Sequence, residues 1–237
     1  MATLNLWKHR LGEVPESLWR RTELRVLILA DNGLKRISPK VGRLRLLHTL
    51  DLGHNELDSV PDELTGLPLT AYLYLHDNRL RELPRSLGRL TGLRYLNIGA
   101  NYLTALPETL GAMSELVELR AEHNQLALLP GTIGRLSNLR ELWLRGNALT
   151  SLPGSVGDLA ELRHLGLREN ALTEVPEALR GLPLLRHLDL RSNQLRELPH
   201  WLAELPSLEK LDLRWNGIEP RPDLFGLLGR QGCVVLT

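Results

Sequence analysis

The chain is 237 residues long and carries 29 Lys and Arg against 28 Asp and Glu, for a net charge of +1, with 43% hydrophobic but only 4% aromatic residues. That balance gives no global reason to expect nucleic-acid or membrane binding, so any electrostatic argument must be local. One cysteine, Cys233, excludes an internal disulfide framework, and no stretch of about 18 apolar residues is present to span a membrane.

Residues 1–23 open the chain as a divergent unit. The segment MATLNLWKHR has no apolar run of signal-peptide length, which points to a cytoplasmic protein. Trp7, Trp19 and the charged run that follows Trp19 read as a modified first coil, a cap over the end of a repeat array.

From Leu24 to Ser207 the chain repeats every 23 residues, eight times. Asn32, Asn55, Asn78, Asn101, Asn124, Asn147, Asn170, Asn193 and Asn216 stand at that unbroken spacing. Each unit follows LxxLxLxxNxLxxLPxxLxxLxx, shown in full by Leu139, Leu142, Leu144, Leu149, Leu152, Val156 and Leu159. The LxL core alternates with period two and predicts a short strand with leucines inward and their neighbours outward. The Asn side chain can bond backbone groups of its own turn and the next, so stacked copies predict a buried ladder. A proline follows in most copies, at Pro61, Pro84, Pro107, Pro130, Pro153, Pro176 and Pro199, and is expected at the first position of a short outer helical turn. Gly88, Gly111, Gly134 and Gly157 fall in that turn, where they permit close packing of coils. Thr70 replaces a leading Leu and Ala121 a strand Leu, so a looser core is expected there.

Residues 208–237 hold a last half-unit and a second cap. DLFGLLGRQGCVVLT predicts a helix and a short edge strand, with Phe225 in the last layer and Cys233 buried. Stacked units bury what one unit cannot, which gives a single α/β solenoid domain over residues 1–237, right-handed, with ten parallel strands on a concave sheet and helical or 3-10 turns outside.

The 23-residue unit from Leu24 to Ser207 resembles the leucine-rich-repeat superfamily. More narrowly it is similar to the intracellular class found in Ras-suppressor and Ras-binding scaffold proteins, in plant Ras-group-related proteins and in stand-alone bacterial repeat proteins. The resemblance implies the solenoid fold and binding as a mode of action, and little more.

The outward strand positions carry what is particular to this chain. They place Tyr72, Tyr74, His76 and Tyr95 in the N-terminal half of the face, with Glu118, Arg120, Glu122, Glu141 and Trp143 in the middle. Arg145, Arg168, Arg191 and Arg214 then form a ladder, with His164, His187 and Trp215 beside it. Tyr, Trp and Arg dominate binding hot spots, so this face is the expected site for a protein or peptide, centred on Tyr72, Tyr74, Tyr95, Arg120 and Trp143. The ladder admits two readings, internal pairing with Glu169, Asp189 and Asp212 or capture of a partner's acidic segment. Gly99 and Gly166 lack side chains and are expected to leave pits. His164 and His187 share a register position but have no third ligand, so no metal and no cofactor are expected. No phosphate loop or nucleophile motif is present, and acids interleave the arginines, so neither an enzyme, a nucleic-acid binder nor a membrane protein is expected. A monomeric binding module is the reading, with a regulatory scaffold acting through its convex face or caps as the first alternative and an enzyme with an unrecognised concave site as the second.

Overall fold

The computed structural model describes residues 2–237. Eleven parallel three-residue strands form one open sheet in sequence order. They are β1 Thr3–Asn5, β2 Val26–Ile28, β3 Thr49–Asp51, β4 Tyr72–Tyr74, β5 Tyr95–Asn97, β6 Glu118–Arg120, β7 Glu141–Trp143, β8 His164–Gly166, β9 His187–Asp189, β10 Lys210–Asp212 and β11 Val234–Leu236. The count exceeds the expected ten because both terminal segments contribute a strand, β1 pairing with β2 and β11 with β10. From β2 to β10 each partner lies 23 residues on, so the repeat length is the sheet register: Tyr72 pairs Tyr95, and Glu118 pairs Glu141.

The central residue of each repeat strand is a leucine, and all are essentially inaccessible, as are the leading and trailing leucines of most coils. Burying one such side chain stabilises the fold by roughly 1.5–3 kcal/mol, which makes the aliphatic column the main source of stability. Each asparagine ties its own coil to the preceding one. Asn78 Nδ2 donates to the carbonyls of Leu52 in the preceding coil and Leu75 in its own, both at 3.0 Å. Its Oδ1 accepts the Leu57 N–H at 2.9 Å.

That bonding requires a sharp turn. The residue before every repeat asparagine is left-handed, from Asp31 (φ 58°) to Trp215 (φ 60°), and only at position 146 is it glycine. Asp and His recur there, as short polar residues that tolerate this region. The same bias is legible in the sequence, where Asp31, His54, Asp77 and His123 precede the asparagines.

The outer turns are five-residue 3-10 helices in most coils, such as Arg85–Arg89 and Glu108–Ala112. Proline stands one position earlier than expected, just before the turn, with extended ψ of 141° at Pro84 and 143° at Pro107. There its carbonyl accepts the first turn bond, from Leu87 and Leu110 at 2.9 Å. The Thr70 departure is absorbed locally. Leu67 precedes Pro68, which disfavours the helical region, and its ψ of 148° carries the chain forward so that Leu69 is buried instead of Thr70. Ala121 is fully buried.

At the C-terminal end, α1 (Pro222–Arg230) buries Leu224 and Leu228. These two leucines, not Phe225, fill the last layer; Phe225 is only partly covered, one residue round the helix. Cys233 is buried, and that burial pushes its thiol up.

Candidate functional site on the concave face

Because strand side chains alternate, the first and third residues of β2 to β10 line one surface while the leucine between them enters the core. In its N-terminal half, Tyr72, Tyr74 and Tyr95 form one aromatic platform. Ring centroids lie 5.9 Å apart for Tyr72 and Tyr74, 5.5 Å for Tyr72 and Tyr95, and 5.1 Å for Tyr74 and Tyr95. These separations suit favourable aromatic pairing, which orders the rings on the surface. Burial raises the Tyr74 hydroxyl and takes that of Tyr95 to about 12, so both stay neutral donors. His76 meets Tyr74 edge-on at 5.9 Å.

In the middle, Arg120 Nε donates to Glu118 at 2.6 Å and its guanidinium lies 5.6 Å from the Trp143 ring. Trp143 is oriented by a bond from Nε1 to Glu141 at 3.1 Å. Glu122 is less well served. Its closest cation is Arg120 at 3.8 Å, and burial raises its carboxyl above the ordinary 4.5. An acid raised by folding contributes stability that is present below its unfolded value and lost as pH climbs through the folded one. We therefore expect Glu122→Gln to melt higher than wild type at pH 7, with the difference vanishing below about pH 4. Thermal melts across that range test it, and a variant equally destabilised at both ends would contradict it.

The arginine ladder is paired within the chain. Arg145 holds Glu169 through two bonds of 3.0 and 3.2 Å, and Arg168 reaches the same carboxylate at 2.9 Å. Arg191 grips Asp189 at 2.9 and 2.6 Å, and Arg214 grips Asp212 at 3.0 and 2.7 Å. Burial works against the Asp212 charge, yet the Arg214 bonds and nearby Arg191 hold its carboxyl below the usual range. Trp215, 63% exposed, lies 5.5 Å from the Arg168 guanidinium and 5.4 Å from that of Arg214.

The two expected pits are filled. A Cβ at Gly166 would sit 2.8 Å from Trp143, whose indole covers the glycine, and one at Gly99 would sit 3.3 Å from Asn97 Oδ1 and the Glu122 carbonyl. A hollow of about 200 Å³ opens beside the first, lined by Trp143, His164, His187, Asp189, Arg191, Lys210 and Asp212 among others. His164 and His187 meet edge to face at 4.6 Å. Lys210 was not among the expected site residues, and Asp189 and Asp212 were expected only as partners of the ladder, although all three hold outward strand positions that the repeat assigns.

Family models described as leucine rich repeat match residues 22–80, 72–126 and 173–218, with a further match at 138–159. A leucine-rich-repeat protein of Leptospira interrogans is 36% identical with a TM-score of 0.87, over 93% of this chain and 56% of that one. The leucine-rich-repeat ectodomain of the plant membrane receptor kinase GASSHO1/SCHENGEN3 from Arabidopsis thaliana, solved in complex with CASPARIAN STRIP INTEGRITY FACTOR 2, is 31% identical with a TM-score of 0.83, over 94% and 28%. The PEPR1–AtPEP1 structure gives 30% and 0.80, over 100% and 34%. The chain thus spans little more than half of the first of these and about a third of the others. It matches none of the curated proteins. No helix among the described residues is long and apolar enough to cross a membrane.

Proposed function

The chain belongs to the leucine-rich-repeat family, and from that premise we propose that it is a non-catalytic module that holds a protein or peptide on its concave face. The fold commonly serves protein binding, and the GASSHO1/SCHENGEN3 ectodomain in its complex supports the same use here. The observation that carries the reading is the platform of Tyr72, Tyr74 and Tyr95 with Trp143 beyond it. The aliphatic core has no need of these rings, yet they are mutually packed and presented on one surface. Large rigid aromatics give contact area at low entropic cost, which is why they dominate hot spots.

The arginine ladder takes a secondary part. Each guanidinium has five donors, and the internal carboxylates use one at Arg168 and two or three at the other rungs, so donors remain for acidic groups of a partner, although the net attraction is reduced. Residues 1–237 act as one unit, with 1–23 and 208–237 protecting the ends of the core and the whole working as a monomer. The lone buried thiol of Cys233 supports a reducing, cytoplasmic setting.

The test is affinity capture from native lysate with wild type and a Tyr72→Ala/Tyr95→Ala/Trp143→Ala variant, after melts show both folded. We expect the partner retained by wild type to bind the variant at least about 100-fold more weakly. Equal retention by both would move the interface to the convex side or the ends and refute the assignment.

A further inference from the structure

We propose that His54 and His76 form a two-point binding site for a borderline divalent transition-metal ion, held through their two Nε2 atoms. His54 follows β3 and His76 follows β4, so they come from adjacent coils, and their Nε2 atoms lie 3.2 Å apart. Two nitrogens each about 2.05 Å from one tetrahedral ion lie about 3.3 Å apart, so the pair already has the spacing of neighbouring ligands. The ring centroids are 4.7 Å apart and the planes cross at 82°. That separation is shorter than for rings pointing straight at one another, so the two nitrogens meet at an angle and not head-on.

Both rings are held in place by other groups. His54 Nδ1 donates to Asp77 Oδ2 at 2.6 Å, and since a carboxylate only accepts, the proton sits on Nδ1 and the Nε2 lone pair faces His76. A carboxylate behind a histidine in this way is the usual support of a metal ligand. The His54 backbone is fixed in the left-handed turn at φ 52°. The His76 ring lies flat over Gly53, where a Cβ would stand 2.4 Å from its Cε1. In the metal-free chain His76 Nε2 donates to the His54 lone pair, so ligation through Nε2 moves the His76 proton to Nδ1.

Imidazole nitrogens suit zinc, copper and nickel. Among the described residues no set of three histidine, cysteine or carboxylate groups converges, so the ion would be bound with modest affinity and would keep coordination positions open to water or to a bound partner. The site stands independently of the protein-binding role.

The probe is Zn²⁺ alone, titrated into the full chain by calorimetry and by histidine side-chain ¹H–¹⁵N spectra. Wild type should bind one ion saturably, tighter than about 1 mM, with the Nε2 signals of His54 and His76 shifting together. His54→Asn, which suits the left-handed turn, and His76→Gln should each weaken binding at least about ten-fold. Asp77→Asn, which keeps both imidazoles, should do so by about ten-fold. A His164→Asn/His187→Gln variant should bind as wild type does. Absence of saturable binding, shifts confined to other histidines, or unchanged affinity in His54→Asn would overturn the proposal; the wild-type spectra decide even if a variant fails to fold.

Discussion

Asn101→Leu is expected to destabilise the fold by about 3–5 kcal/mol, because it strips a buried hub of four hydrogen bonds at the centre of the stack. Asn101 Nδ2 donates to the carbonyls of Leu75 at 3.0 Å and of Ile98 and Gly99 at 3.1 Å, and its Oδ1 accepts the Leu80 N–H at 3.0 Å. A leucine satisfies none of these, and an unsatisfied buried group costs about 1–3 kcal/mol, more than a lost exposed bond. Asn101→Asp separates the two halves of the interaction. It keeps an acceptor for Leu80 but turns a second oxygen toward three carbonyls, so it should be at least as damaging at pH 7 and partly recover in acid, where protonation restores a donor. Urea melts at two pH values provide the measurement. If Asn101→Leu lost less than about 1 kcal/mol, the ladder would be a by-product of stacking and not a cause of it. The comparison with Asn216→Leu matters too. Asn216 is half-buried near the end of the array, and in a quasi-one-dimensional fold an end lesion frays while a central one uncouples both halves.

Gly134→Ala is the second large effect, with an expected loss of about 2–4 kcal/mol, at or above the usual range for overpacking because the clash is with backbone. A Cβ at Gly134 would stand 2.1 Å from the Ser155 carbonyl oxygen of the next coil, which cannot swing aside as a side chain can. Gly88 faces the Thr109 carbonyl at 2.2 Å and Gly111 the Thr132 carbonyl at 2.5 Å, whereas Gly157 has 2.9 Å to Ala178. The order of damage should therefore be Gly134 and Gly88, then Gly111, then Gly157. Gly154, with nothing within 4 Å, should accept alanine without loss. Local coil approach sets the cost, not place in the repeat: the equivalent position in another coil holds Thr65, buried with its hydroxyl donating to the Asp62 carbonyl at 2.7 Å. Chemical denaturation of the five single variants checks the order, and equal losses at Gly134 and Gly154 would show that helical propensity, not coil contact, governs the turn.

Residues 24–207 declare the fold because one period serves three purposes at once. Twenty-three residues bring strand onto strand, asparagine onto asparagine and leucine onto leucine, so the sheet register of Tyr72 with Tyr95 could be read before any coordinates. The same arithmetic placed all sixteen expected site residues on or beside one surface. It failed where neighbours meet out of register. His54 and His76 are 22 residues apart, Arg191 and Asp212 are 21, and Arg145 and Glu169 are 24. Arg168 reaches Trp215 two coils away. Equal register pairs His164 with His187, whereas His54 and His76 meet one position out of register.

The sequence by itself determined the coil, the buried ladder, the inward leucines and the identity of the concave face, since each follows from backbone periodicity and the need to bury apolar side chains. Only the tertiary structure decided that the arginine ladder is neutralised from within, that indole and imidazole rings lie over Gly166 and Gly53, and that Leu69 takes the place of a missing leucine. The physical reason is reach. A backbone repeat fixes where each Cα sits, but long side chains on a curved sheet choose among several neighbours. That choice rests on rotamers, on the charge left to be matched and on the space that each glycine leaves open.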